Sequence, residues 1–187
     1  MQWGQYETAR FLVSQGAQVA VQDVSGWTPV ILAANNDDIA MLEYLLDHGG
    51  SLDNHRGGWG PLNYAAHHGK KKMVRHLLDK GVDPNRVWDN TSRRMQLPTH
   101  SAAFMGKLDI VKMLLKAGSV SDAEDGNGDT PLSFALQQKE EADEIKALMD
   151  GIDLSGVKEK CTEFEREFED PHEKPWDEII EILKNPN

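Results

Sequence analysis

The sequence predicts an all-α solenoid of stacked helix-turn-helix units joined through β-hairpin-like fingers, followed by a helical C-terminal extension. Three observations predict it. One phrase recurs four times, as Thr28-Pro29-Val30-Ile31-Leu32-Ala33-Ala34, Gly60-Pro61-Leu62-Asn63-Tyr64-Ala65-Ala66, Leu97-Pro98-Thr99-His100-Ser101-Ala102-Ala103 and Thr130-Pro131-Leu132-Ser133-Phe134-Ala135-Leu136. A second apolar run ending in glycine follows, as in Leu45-Leu46-Asp47-His48-Gly49, Leu77-Leu78-Asp79-Lys80-Gly81 and Leu114-Leu115-Lys116-Ala117-Gly118. The period, near 33 residues, holds one turn and two short helices, neither of which can bury its apolar face without a neighbouring unit.

The chain opens on a partial unit, residues 1–22, in which Tyr6 to Val21 carries only the second-helix half of the pattern and its Gly16-Ala17 ending. The unit at 23–54 shows how each piece arises. Asp23-Val24-Ser25-Gly26 reads as a turn. Thr28 reads as an N-cap, with Pro29 at the first helical position, where a missing N–H costs nothing. Val30, Ala33 and Ala34 give this helix a narrow face that lets its neighbour approach, and Asn35 to Asp38 breaks it. Ile39, Leu42, Leu45 and Leu46 recur at helical spacing, predicting a second helix that ends at Gly49, where a positive φ is needed.

The units at 55–85 and 86–123 repeat this scheme with changes. Gly60 and Leu97 replace the capping Thr, which predicts first helices that fray more easily. The step from Pro61 to Pro98 is four residues longer than that from Pro98 to Pro131, and the extra residues fall between Arg86 and Gln96, predicting an enlarged finger. The last unit, 124–150, carries Gln137-Gln138-Lys139-Glu140-Glu141 where a glycine would stand. Residues 151–187 hold eleven acidic and five basic residues and read as an acidic helical extension or cap. Phe164 and Phe168 suggest one helical piece there, and Trp176, Ile179, Ile180 and Leu183 fall on one face of another.

These residues resemble the ankyrin repeat family, whose pattern runs turn, Gly, Thr-Pro-Leu-His-x-Ala-Ala, Gly, Ile-Val-x-x-Leu-Leu and Gly-Ala. The resemblance spans Gln5 to Met149 and implies an ankyrin-repeat solenoid that acts as a non-enzymatic protein–protein interaction module, a scaffold or adaptor. The alternative is a regulatory or substrate-recruiting ankyrin domain of a larger enzyme or channel. Partners of ankyrin arrays bind the concave side, built from the turn tips and the outer positions of each first helix. Carried over position by position, that surface comprises Trp27, Asn35, Asn36, Trp59, Tyr64, His67, His68, Trp88, Arg93, Arg94, Phe104, Met105 and Gln137. His100 falls on the family's Thr-Pro-Leu-His position, where a histidine makes structural hydrogen bonds.

Composition limits the remaining function classes. A formal net charge of −11 in 187 residues argues against binding along a phosphate backbone, where clustered Lys and Arg supply most of the affinity. Arg86, Arg93 and Arg94 flank Trp88 in this acidic chain, which suggests a partner protein or peptide segment with acidic and apolar side chains. Cys161 is the only cysteine, so no intrachain disulfide or thiol-rich metal site can form. No Gly-rich loop leads into Lys and Ser or Thr, and the seven histidines are scattered through different repeats, so no cofactor, metal or catalytic residue is expected. With no basic and apolar leader at Met1 to Tyr6 and no long apolar run, the reading is a monomer of the cytosol or nucleus without membrane insertion.

Overall fold

The computed structural model describes residues 3–53, 59–86, 97–150 and 175–186. Within them the chain forms helices α1 (Trp3–Ser14), α2 (Pro29–Asn35), α3 (Ile39–Asp47), α4 (Pro61–His67), α5 (Lys71–Asp79), α6 (Pro98–Phe104), α7 (Leu108–Lys116), α8 (Pro131–Asp150) and α9 (Trp176–Lys184), with no strand among the described residues. Two described fingers are hairpin-like turns, each held by two backbone bonds: Asp23 N donates to Trp27 O at 2.9 Å and Gly26 N to Asp23 O at 3.0 Å, and Asp125 N donates to Asp129 O at 2.8 Å and Gly128 N to Asp125 O at 3.1 Å. Most of the finger at Arg86 to Gln96 and the piece around Phe164 and Phe168 lie outside the described residues.

Each first helix begins as its sequence dictates. Thr28 Oγ1 accepts from Ile31 N at 3.1 Å, and Pro29, Pro61, Pro98 and Pro131 each open a helix. Where the capping Thr is missing, the third helical residue compensates: Gly60 N donates to Asn63 Oδ1 at 3.4 Å, and Leu97 N donates to His100 Nδ1 at 3.1 Å. All of α2, α4 and α6 therefore run seven residues despite the unequal caps.

The first helices pack in succession, α2 on α4, α4 on α6 and α6 on α8, and each lies against the second helix of its own unit. Ala33 and Ala34, Ala65 and Ala66, and Ala102 and Ala103 are buried at these contacts, because only small side chains permit so close an approach. The second helices supply the bulk of the core through a repeating triplet at i, i+1 and i+4: Met73, Val74 and Leu77 in α5, then Ile110, Val111 and Leu114 in α7, all fully buried. Helix α9 carries the same triplet in Ile179, Ile180 and Leu183, also buried, and packs on both α8 and α7. It stands where the second helix of the last unit belongs.

Side-chain bonds between units reinforce the order. Asp37 Oδ1 accepts from Met73 N at 3.2 Å, so a carboxylate of one repeat caps the second helix of the next. Asn85 donates through Nδ2 to Gly118 O and accepts from Val120 N, both at 2.8 Å. Along the second helices, Glu43 pairs with His76 and with Lys80, at 2.5 and 2.9 Å, Lys71 with Asp109, and Lys112 with Glu178 of α9, at 3.9 Å. The Lys80 ammonium beside Glu43, helped by His76, holds that carboxyl below the usual carboxylate range. The Lys71–Asp109 and Lys112–Glu178 pairs are largely exposed and contribute little to stability, while those of Glu43 are half-buried.

The turn after each first helix decides where the chain goes. Asp37, Gly69 and Gly106 hold equivalent places, with φ of 59°, 69° and 66°, and each sends the chain into its second helix. The fourth equivalent, Lys139, is helical, so α8 runs on for 20 residues instead of turning. Its ammonium meets Asp177 of α9 at 2.6 Å.

Candidate partner-binding surface

The fourth position of each first helix is Leu32 in α2, Tyr64 in α4, Ser101 in α6 and Phe134 in α8. Leu32 is 48% exposed, and Tyr64 and Phe134 are half-buried, while Ser101 is buried. The residues that end each first helix continue the surface, and the finger before it supplies a tryptophan in two units.

Trp27, Trp59, Tyr64, His67 and His68 join into one run of rings. The Trp27 and Tyr64 centroids lie 4.4 Å apart, Trp59 sits 5.4 Å from Tyr64 and 5.0 Å from His67, and His67 meets His68 at 4.9 Å. The run crosses the boundary between two repeats, because Trp27 belongs to the finger of one unit and Tyr64 to the first helix of the next. Trp27 is positioned from below by Asp23, whose Oδ1 accepts from Trp27 N at 2.9 Å and from Ser25 N at 2.8 Å. The large rings thus pack on one another while remaining half-exposed. A second, smaller pair follows on the next units, where Phe104, 36% exposed, meets Phe134 edge-on at 5.9 Å.

Asn35 and His67 are equivalent residues of consecutive repeats, and Asn35 Oδ1 and His67 Nδ1 are both buried without a hydrogen-bond partner among the described residues. Asn36 is exposed and closes α2 as its C-cap. Met105 is half-buried as the C-cap of α6. Gln137 is exposed and donates through Nε2 to Glu141 Oε1 at 3.0 Å along α8. Trp88, Arg93 and Arg94 lie outside the described residues.

The electrostatics differ along the row. Burial, with a smaller effect of the Asp23 carboxylate, pushes the Tyr64 phenol up. Burial pulls His67 down, helped by His68 and Lys107; burial likewise pulls His68 down, helped by Lys70 and Lys107, so both imidazoles are neutral at pH 7. Lys107 reaches this place across a repeat boundary, its Nζ 3.6 Å from where a Cβ would stand on Gly69. Lys70 and Lys107 adjoin His68, and Leu32 shares the helix position of Tyr64, though the position-by-position carry-over named none of the three. Leu32 could have been found from its register with Tyr64 and Phe134. Lys70 is the N-cap of α5, Lys71 and Lys72 open that helix, and Lys71 pairs with Asp109.

His100 is fully buried beneath this surface, its ring edge-on to Phe134 at 5.9 Å. Its Nδ1 accepts from Leu97 N, which leaves the proton on Nε2 to be donated to Ala123 O at 2.9 Å and Asp129 O at 3.1 Å, tying α6 to the next finger. Asn85 is likewise occupied by its two bonds to the following repeat. Among the described residues, no group of three His, Cys, Asp or Glu side chains is gathered as a metal would need, and no helix is long and apolar enough to cross a membrane.

Stacked helix pairs of one recurring pattern define a helical repeat protein. The ankyrin repeat pattern matches residues 1–87 as three repeat copies and residues 96–125 as one further repeat, and the chain belongs to the ankyrin repeat family. An ankyrin repeat protein of Rickettsia bellii (strain RML369-C) is 40% identical over 48 residues, which covers 26% of this chain and 14% of that protein. Ankyrin repeats are generally protein–protein interaction modules and are typically non-enzymatic.

Proposed function

We propose that this chain is a non-enzymatic interaction module that holds a partner protein or peptide on the concave side of its repeats, from Trp27 through Tyr64 and Trp59 to Phe104. The observation that carries this reading is the run of half-exposed rings across the repeat boundary. A core would bury such rings fully, and an ordinary surface would not gather them; buried Trp and Tyr anchors dominate interface energetics. The units bounded at 23–54, 55–85 and 86–123 would form the display, fixed by the alanine contacts beneath, so little conformational entropy is lost on association. The partner contributes apolar side chains to the rings, and the chain acts as a monomer.

Partners retained from the host lysate by the full chain and by a folded Trp59→Ala, Phe104→Ala variant provide the test. A protein held by the first and lost from the second, with circular dichroism unchanged, supports the concave site. Identical sets of retained proteins would move the site elsewhere on the molecule.

A further inference from the structure

The ring run ends in a cluster of titratable side chains. His67 and His68 stand in contact at the end of α4, Lys70 follows as the N-cap of α5, and the Lys107 side chain crosses from the next repeat to lie over Gly69. Two histidines and two lysines from two repeats therefore gather at the end of α4, where His67 also meets Trp59, in a chain whose formal net charge is −11.

The opposite end of the run has the opposite sign. There the Asp23 carboxylate accepts from Trp27 N. The turn of the preceding repeat, equivalent to Gly69-Lys70, is Asp37-Asp38, and it lies at the Lys70 end of the run. Asp37 is occupied at the N-terminus of α5, and Asp38 caps α3 through Met41 N at 2.9 Å. Of the other charged groups on elements packed against α4, Lys71 is paired with Asp109, and His100 is turned into the interior. The row thus carries the Asp23 carboxylate at Trp27 and the Lys70 and Lys107 ammoniums beside His68, with the aromatic rings between them. Such a field orients a bound chain as well as attracting it.

We infer that His67, His68, Lys70 and Lys107 form a carboxylate-binding subsite, and that the partner is a polypeptide presenting an Asp or Glu next to an aromatic or large aliphatic side chain that lies on Tyr64 and Trp59. This deepens the concave-site reading and rests on it. The two lysines supply fixed positive charge, and the exposed His68 Nδ1 or Nε2 adds a hydrogen-bond donor. A carboxylate arriving here stabilises the imidazolium that burial and the lysines otherwise disfavour, so protons are taken up on binding and affinity rises as pH falls from 8 to 6.

A random-peptide display library selected on the full chain at pH 6 tests this. The enriched peptides are then labelled and measured by fluorescence anisotropy at pH 6 and pH 8 against the chain and against Trp59→Ala and His68→Gln, Lys107→Gln variants whose thermal unfolding matches the parent. The expected outcome is enrichment of Asp or Glu beside Trp, Phe or Leu. The His–Lys variant should bind about tenfold more weakly, and most of the pH dependence should vanish with it. Peptides that depend on Trp59 but lack acidic enrichment, or that bind the His–Lys variant equally well, would overturn the carboxylate subsite and leave the aromatic groove standing. No enriched peptide, or peptides indifferent to Trp59→Ala, would overturn both.

Discussion

The third unit and the last unit begin alike and end differently. In both, a Pro opens a first helix whose third residue reaches back to its start: His100 to Leu97 N, and Ser133 to Thr130 N at 3.0 Å. In both, a second helix with an apolar triplet lies against the first. The third unit reaches its second helix by turning at Gly106, whereas the last keeps Lys139 in helix and fills the same slot from Trp176–Lys184. The slot is therefore a property of the exposed faces of α7 and the first helix, and chain continuity matters less than an amphipathic segment with the right triplet. The N-terminal end of the stack makes the contrast sharper, since Phe11 and Leu12 of α1 remain 62% and 51% exposed with nothing among the described residues covering them.

The strongest way to break this equivalence is to spoil the triplet in α9. Ile179 is fully buried, so Ile179→Ala should cost about 3 kcal/mol, as its counterpart Ile110→Ala should in α7. Urea unfolding of both variants compares them directly; a loss at Ile110 with none at Ile179 would show that α9 does not act as the missing helix.

His100 and Ser133 should separate next. Removing His100 leaves the buried Leu97 N–H and the part-buried Ala123 carbonyl without this partner, while Asp129 O keeps its bond from Asp125 N, and His100→Ala should cost about 3 kcal/mol. Ser133 bonds only within its own turn, to Thr130 and Asp129, and Ser133→Ala should cost about 1 kcal/mol by the same measurement. Equal losses would remove the distinction.

At Gly106, φ is 66°, a region that an L side chain enters at a cost, so Gly106→Ala should destabilise by about 1 kcal/mol. Lys139 has no such demand, and Lys139→Ala should give the smallest change of the set, detectable chiefly as reduced salt dependence from the exposed pair with Asp177. A thermal-melt series in rising salt distinguishes the two.

The pH dependence follows from His67, His68 and His100, all held below the ordinary imidazole range, first by burial. Because the folded state binds these protons less readily than the unfolded chain, their contribution to stability is present above about pH 6.5 and is lost as pH falls toward the folded values. Urea midpoints should decrease from pH 7.5 to pH 5.5, and His100→Asn, which keeps an acceptor like that of Asn63 in α4, should flatten the decrease. An unchanged slope in that variant would assign the effect to the surface pair.

Much of the fold was legible because it is local. The Pro-headed helices, the cap at Thr28, the break after Asn35 and the turn at Gly49 each follow from residues a few positions apart, and the period repeats them. The fraying expected at Gly60 and Leu97 missed the compensating side chains of Asn63 and His100, although both stand three residues on, where a reciprocal cap is read. The aromatic and histidine positions were legible from the ankyrin register. Their joining into one run was not, since it depends on which rotamers let Trp27 reach Tyr64 across a repeat boundary.

What the sequence determined by itself was the repeat, its helices and the residues that must face the interior, because helix periodicity and capping are set by neighbours along the chain. Tertiary structure alone decided that α9 occupies the slot left by Lys139 and that Lys107 comes to lie over Gly69, because both are contacts between segments far apart in the chain, fixed by the shapes of surfaces that exist only once the units have stacked.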